Sequence, residues 1–154
     1  VAAAKPSGAE VARGICRLLW LEGWSPLVEV TLADGHRADV MALGRTGEIL
    51  IVEVKVSAAD LRGDRKWQHY RNWCDRFAWG VPAELAGQLE EARFDPHACG
   101  LLVADRHEAL WVRPACEGRL APARRKAVTL AFARAGAERV LRGMDPGFEG
   151  FAAW

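Results

Sequence analysis

The chain has 154 residues and a mass of 16.9 kDa, a length suited to one domain that buries a core without disulfide or metal staples. Hydrophobic residues make up 51% and charged residues 27%, which excludes a disordered or fibrous chain. Lys+Arg 21 against Asp+Glu 20 leaves +1. That excludes a protein that coats nucleic acid by bulk charge, and it counts mildly against a nucleic-acid partner unless the charge is segregated.

Ser7-Gly8-Ala9-Glu10 fits a capping box, and Val11, Ile15, Leu18 and Leu19 follow at helical spacing until Gly23. Val28 to Ala33 is β-like, Asp34-Gly35 is a two-residue hairpin signal, and Arg37 to Leu43 returns. Arg45-Thr46-Gly47 suits a three-residue loop into Glu48 to Val56, the strongest strand. After a short polar loop, Asp64 caps a helix predicted through Phe77, with Trp67, Tyr70, Cys74 and Phe77 on one side. Ala78 to Val81 is a strand, and Pro82 opens a third helix to about Phe94. Cys99 to Ala104 and Ala109 to Arg113 form a hairpin around Asp105-Arg106-His107. Pro122 opens a last helix that ends at Gly143, followed by a Gly-rich docked tail to Trp154. The order α-β-β-β-α-β-α-β-β-α predicts an α/β sandwich with a mixed sheet, not a doubly wound fold.

Cys16, Cys74, Cys99 and Cys116 contain no C-x-x-C pair and read as free buried thiols in a reducing, cytoplasmic setting. No apolar run approaches the ~18 residues that span a bilayer. The four histidines lack ligand spacing, and neither a nucleophile elbow nor a phosphate-binding glycine loop is present. Trp24, Trp79, Trp111 and Trp154 are more aromatic surface than a small core requires, and some of them are expected at a homodimer or repair-protein interface.

The chemistry lies in Asp39, Glu53 and Lys55. Alternation puts Leu50, Val52, Val54 and Val56 on one face of the strongest strand and Ile49, Ile51, Glu53 and Lys55 on the other. Charges on a central strand cost several kcal/mol unless paired or bound. With Arg45-Thr46-Gly47 as the loop, Gly44 pairs with Glu48 and Asp39 falls opposite Glu53, Cβ atoms ~5 Å apart. A divalent cation relieves the repulsion of two such carboxylates, and hard oxygen ligands favour Mg²⁺. Lys55 is placed to orient a nucleophilic water or to neutralise charge on a phosphoryl oxygen. A buried Glu53–Lys55 or Asp39–Lys55 ion pair accounts for the same residues without a site.

Asp39, then Glu53-Val54-Lys55 fourteen residues on, in an apolar strand after a helix and hairpin and before another helix, resembles the PD-(D/E)xK nuclease superfamily. More narrowly, four runs resemble the MmcB-like DNA repair family of that superfamily, which is linked with mitomycin-type damage in bacteria. They are Arg37-Ala38-Asp39-Val40; Val52-Glu53-Val54-Lys55-Val56-Ser57-x-x-Asp60; Asp64-Arg65-Lys66-Trp67-x-x-Tyr70; and Cys74-Asp75-Arg76. The resemblance spans about residues 8 to 142, with Ala38 where the superfamily's name has proline.

It implies a restriction-endonuclease-like mixed sheet flanked by helices, an α-β-β-β-α-β core with an added C-terminal hairpin and helix. One nuclease-like domain is expected over 1–154, with a core at about 8–113, a basic helix at about 121–142 and a tail at 143–154. It further implies that Asp39 and Glu53 ligate Mg²⁺ or Mn²⁺ and that Lys55 is the catalytic lysine. Lys66 and Tyr70, four apart on the predicted helix, fall where RecB-like members carry a Gln-x-x-x-Tyr pair. They would contact DNA phosphate or the site, with Tyr70 equally placed to be core beside Trp67.

Glu29 is a further candidate ligand, since some members use an upstream acid. A strict two-residue turn faces it away from Asp39, and a longer loop or bulge turns it inward. Glu10 fits the capping box better than the site.

From Arg119 to Arg142, seven cations face Glu138 alone, a local +6 against −5 elsewhere. Arg124-Arg125-Lys126 opposes the dipole of its own helix start and, with Arg37 and Arg65, is expected to contact DNA backbone; a solvated polar face explains it equally. The function expected is metal-dependent hydrolysis of DNA phosphodiesters in repair. The alternatives are a non-catalytic DNA- or partner-binding module on the same fold, or a structural subunit in which Lys55 neutralises two acids.

Overall fold

The computed structural model describes residues 4–148. Helix α1 (Gly8–Leu21) starts at the anticipated box: Ser7 Oγ accepts the Glu10 N–H at 3.2 Å and Glu10 Oε2 accepts the Ser7 N–H at 2.8 Å. Glu10 also meets Arg106 at 3.5 Å, so it is a capping residue and not part of the site.

Six strands form one sheet in chain order: β1 (Ser25–Thr31), β2 (Arg37–Leu43), β3 (Ile49–Val54), β4 (Arg76–Val81), β5 (Gly100–Ala104) and β6 (Ala109–Arg113). β1, β2 and β3 are an antiparallel meander, β4 and β5 add in parallel, and β6 returns antiparallel. This is the mixed sheet flanked by helices that the resemblance implies, its C-terminal hairpin joined edge to edge with the core.

α1 lays Val11, Ile15 and Leu19 on Val40, Ala42, Leu50, Val52, Ala78 and Leu102 of one sheet face. The opposite face carries an aromatic layer. Trp79 lies 5.3 Å from both Trp67 and Phe77 and 5.5 Å from Phe94, ring centre to ring centre, and Val128 of α3 (Pro122–Met144) closes it. Trp79 is thus core and not part of the excess aromatic surface expected. Trp24 and Trp111 pack against the α1 core, and Trp154 lies outside the described residues. The tryptophan left 68% exposed is Trp20.

The parallel step from β3 to β4 needs a crossover, and its form departs from the predicted helix at 64–77. The supposed loop holds a short helix, α2 (Ala58–Gly63), capped by Ser57. Asp64 then starts a seven-residue 3₁₀ segment, Trp67–Trp73, and Phe77 belongs to β4 opposite Ile51. Three residues per turn bring Trp67 and Tyr70 onto one side as readily as an α-helix does. Likewise 82–94 forms 3₁₀ segments Ala83–Glu90 and Ala92–Phe94, with Gly87, a poor interior helix residue, midway.

All four cysteines are free, but only Cys74 and Cys99 are buried. Cys16 is half-buried and Cys116 exposed, which corrects the expectation of buried thiols throughout. Among the described residues, no helix is long and apolar enough to cross a membrane. Helix α3 ends at Met144, and a turn from Asp145 to Phe148 follows. From 149 on, the anticipated docked tail lies outside the described residues.

Candidate active site

The site is built by the β2–β3 hairpin. Gly47, at φ +95°, closes the Arg45-Thr46-Gly47 loop, and the Gly44 N–H donates to the Glu48 carbonyl at 2.8 Å. The ladder runs from Leu43↔Ile49 to Val40↔Val52, and one step further puts Asp39 opposite Glu53 as expected. There the ladder changes character. The Val54 N–H donates at 2.7 Å to Asp39 Oδ2, fixing that carboxylate at the strand's end.

Glu53 is buried. Its Oε1 accepts from Lys55 Nζ at 3.1 Å, while its Oε2 is buried with no hydrogen-bond partner. Burial first, then the charge of Asp39, pushes the Glu53 carboxyl up to about 8. Burial also raises Asp39, although the Val54 N–H and the charge of Lys55 oppose it. Both carboxyls therefore stand above their ordinary range, and their titrations are coupled.

Lys55 is the third member. Burial disfavours its charge, but Asp64 and Glu53 outweigh that and keep it an ammonium. The anticipated Glu53–Lys55 ion pair is therefore present, yet it leaves Glu53 Oε2 and the Asp39 pair unneutralised.

One groove joins Asp39, Glu53, Val54 and Lys55 to Asp60, Asp64, Arg65, Lys66 and Tyr70. Lys66 and Tyr70 reach it from the 3₁₀ turns. Tyr70 belongs to both readings: its ring stacks on Phe77 at 6.3 Å, and its hydroxyl donates to the Arg37 carbonyl at 2.9 Å. Asp64 was legible as a cap but not as a site member. Its carboxylate meets Lys55 at 2.8 Å. Burial would raise it, but Lys55 and the N–H groups of Lys66 and Trp67 hold it below the ordinary range.

Glu29 does not join the pair. The β1–β2 loop is three residues, Ala33-Asp34-Gly35, with the Leu32 N–H on the His36 carbonyl at 2.8 Å, so the two-residue turn is corrected. Pairs Val28↔Val40 and Val30↔Ala38 consequently set Glu29 opposite Asp39. Yet Glu29 has φ +53°, and its carboxylate turns out to Arg37 at 3.5 Å, 59% exposed.

The basic triplet is also not where it was expected. Arg125 forms a two-pronged pair with Asp75 at 2.6 Å and donates to the Gly47 carbonyl, while Arg124 lies over the Trp73 ring at 4.8 Å. Lys126 is exposed. Because Asp75 also accepts the Ile49 N–H, this cluster sits at the opposite end of β3, about 13 Å from Glu53 at ~3.3 Å per residue. The later turns of α3 come closer to the site, with Arg139 donating to the Glu29 carbonyl at 2.8 Å.

The residues fit a hard divalent cation. Burial raises both neighbouring carboxyls, the charge of Asp39 adds to the rise at Glu53, and one buried oxygen has no partner. Among the described residues no cluster of three or more His, Cys, Asp or Glu is arranged for a metal. Two carboxylates with water completing the shell is the mode typical of Mg²⁺.

A mixed six-stranded sheet with two acids and a lysine converging at the end of its central hairpin defines an α/β protein with a carboxylate–lysine groove. The chain belongs to the MmcB-like DNA repair protein family, whose model matches residues 4–147. A protein of unknown function from Silicibacter pomeroyi, SPO1766, shares 40% identity and a TM-score of 0.86, over 99% of this chain and 100% of that one. A repair endonuclease from Pyrococcus abyssi gives 21% identity and a TM-score of 0.35 over 58% of this chain and 45% of that one, too low to define a common fold. No curated protein matches.

Proposed function

We propose that this protein is a Mg²⁺- or Mn²⁺-dependent deoxyribonuclease of DNA repair, hydrolysing phosphodiester bonds in the groove of Asp39, Glu53 and Lys55. The observation that carries this reading is Glu53 Oε2, a buried carboxylate oxygen without a partner beside a second carboxyl. A cation on Asp39 and Glu53 would supply the positive charge that lets an anionic phosphodiester approach two acids and eases deprotonation of the attacking water.

Asp39, clamped by the Val54 N–H, and Glu53, fixed by Lys55, present their free oxygens from a rigid hairpin rather than from a loop. Lys55 remains charged and acts as a hydrogen-bond donor to a phosphoryl oxygen or to water, not as a base. Arg65 and Lys66, exposed on the groove's rim, suit the flanking backbone phosphates.

The test is nicking and cleavage of plasmid, flap and branched DNA with Mg²⁺ or Mn²⁺. Asp39→Ala and Glu53→Ala are each expected to lose about 10²-fold or more in rate. Mutants as active as the wild type would overturn the assignment.

One observation favours a second reading, a non-catalytic DNA- or partner-binding module: Lys55 is already engaged by both Glu53 and Asp64. That module binds DNA with steep salt dependence and does not cleave it. Calorimetric titration with Mg²⁺ separates the two, because the nuclease requires the cation and the module does not.

A further inference from the structure

We propose that Asp64 is the positioning residue for Lys55, holding its ammonium in the groove whether or not Glu53 is occupied by a cation. The consequence for turnover rests on the nuclease reading above; the geometry does not.

Asp64 is held on both of its oxygens. Oδ1 accepts the N–H groups of Lys66 at 2.7 Å and Trp67 at 3.0 Å, and Oδ2 meets Lys55 Nζ at 2.8 Å. The side chain is only 5% exposed. Trp67, whose N–H it caps, is 4% exposed and packs on Phe77 and Trp79, so Asp64 is anchored through the chain to the aromatic layer. Lys55, by contrast, ends a flexible four-carbon stem one residue past the end of β3, a side chain with many rotamers to lose.

The second anchor of Lys55 is Glu53 Oε1, at 3.1 Å. Glu53 is also the candidate cation ligand, and a carboxylate that takes up a cation is a weaker partner for an ammonium. Asp64 has no such competing task. An ammonium has three N–H donors, and the two acids take two of them. The third is left for a substrate oxygen, at a position that Asp64 sets.

The experiment uses the full chain and has two arms. The first is ¹H–¹⁵N spectroscopy of lysine ammonium groups, without metal and again with Mg²⁺. The chain has four lysines, and Lys5, Lys66 and Lys126 are exposed, so a slowly exchanging ammonium signal belongs to Lys55, as its loss in Lys55→Met would verify. Asp64→Asn keeps an oxygen that can cap Lys66 and Trp67 but removes the charge; Asp64→Ala removes both. In Asp64→Asn the Lys55 signal is expected to disappear. The second arm is nicking kinetics: in Asp64→Asn, kcat is expected to fall about tenfold, with KM within about twofold of wild type.

A persistent ammonium signal in Asp64→Asn overturns the proposal. So does full activity in Asp64→Asn with loss only in Asp64→Ala, which makes Asp64 a backbone cap and nothing more. If the wild type cleaves no DNA, the nuclease reading fails, and the ammonium signal alone decides whether Asp64 positions Lys55.

Discussion

β3 has a buried acid at each end, and the two could hardly be treated more differently. At its start, Asp75 is surrounded by donors: the Ile49 N–H at 2.8 Å, the Leu120 N–H at 3.0 Å and both arms of Arg125 at 2.6 Å. Burial alone would raise that carboxyl, but Arg125 and the two N–H groups bring it down to about 2. Near the strand's other end, Glu53 has one donor, one bare oxygen and a neighbouring carboxyl, and it stands at about 8. A buried acid that the chain satisfies completely ties elements together. One left short of partners is where something from outside the chain belongs.

The sharpest way to break the comparison is to remove each acid in turn. Asp75→Ala leaves Arg125 without its carboxylate and two buried N–H groups without acceptors. It is expected to cost about 2–4 kcal/mol in denaturant unfolding, mostly from the two N–H groups left without an acceptor, since Arg125 is 33% exposed and reaches water. Glu53→Gln is expected to cost less than about 1 kcal/mol near pH 8 in chelator, or to stabilise, because it removes a charge the fold does not pair well. A loss at Glu53 as large as that at Asp75 would mean that both acids are structural.

The next effect is the response to pH. Glu53 titrates near its ordinary 4.5 when unfolded and near about 8 when folded. Between those values the folded state binds more protons, so stability falls as pH rises through that window, by up to about 1.4 kcal/mol per unit. Asp39, also raised, acts in the same sense. Asp75 has the opposite sign: its folded value of about 2 lies below its ordinary 3.8, so its contribution is lost as pH falls through that range. In chelator, thermal unfolding is therefore expected to peak in mild acid and decline toward pH 8. Mg²⁺ is expected to flatten the alkaline decline by offsetting the negative charge of the deprotonated pair. A profile in which Mg²⁺ changes nothing at pH 8 would leave the carboxyl pair without a cation.

Much of the Glu53 end was legible in the sequence because strand geometry is rigid. A three-residue loop ending in Gly47 sets the register, register sets the face, and Asp39 and Glu53 then have nowhere else to go. The Asp75 end was not legible. Arg125 reads as one cation in a basic run, and its partner stands fifty positions away in a segment whose spacing reads as helix. Asp64 was hidden by the same helical spacing, since its reach to Lys55 depends on how α2 and the 3₁₀ turns fold back over β3. Glu29 shows a different limit. Its place opposite Asp39 follows once the loop length is known, but nothing in a glutamate announces a left-handed backbone.

The smallest expected effect concerns cations, and it extends the comparison from acids to the charges around them. At the Asp75 end Arg125 is consumed by the fold. At the Glu53 end Arg65 and Lys66 are exposed on the rim of the groove. If the groove binds DNA, Arg65→Ala and Lys66→Ala should each lower the slope of log affinity against log salt by about one, as removing a single cation–phosphate pairing does. Lys126→Ala, at the far end, should leave that slope unchanged, although Lys126 carries the same charge on the most basic stretch of the chain. Fluorescence anisotropy with labelled branched DNA over a salt series reads all three. A slope that falls with Lys126 but not with Lys66 would move the DNA to the wrong end of β3 for the carboxyl pair to act on it.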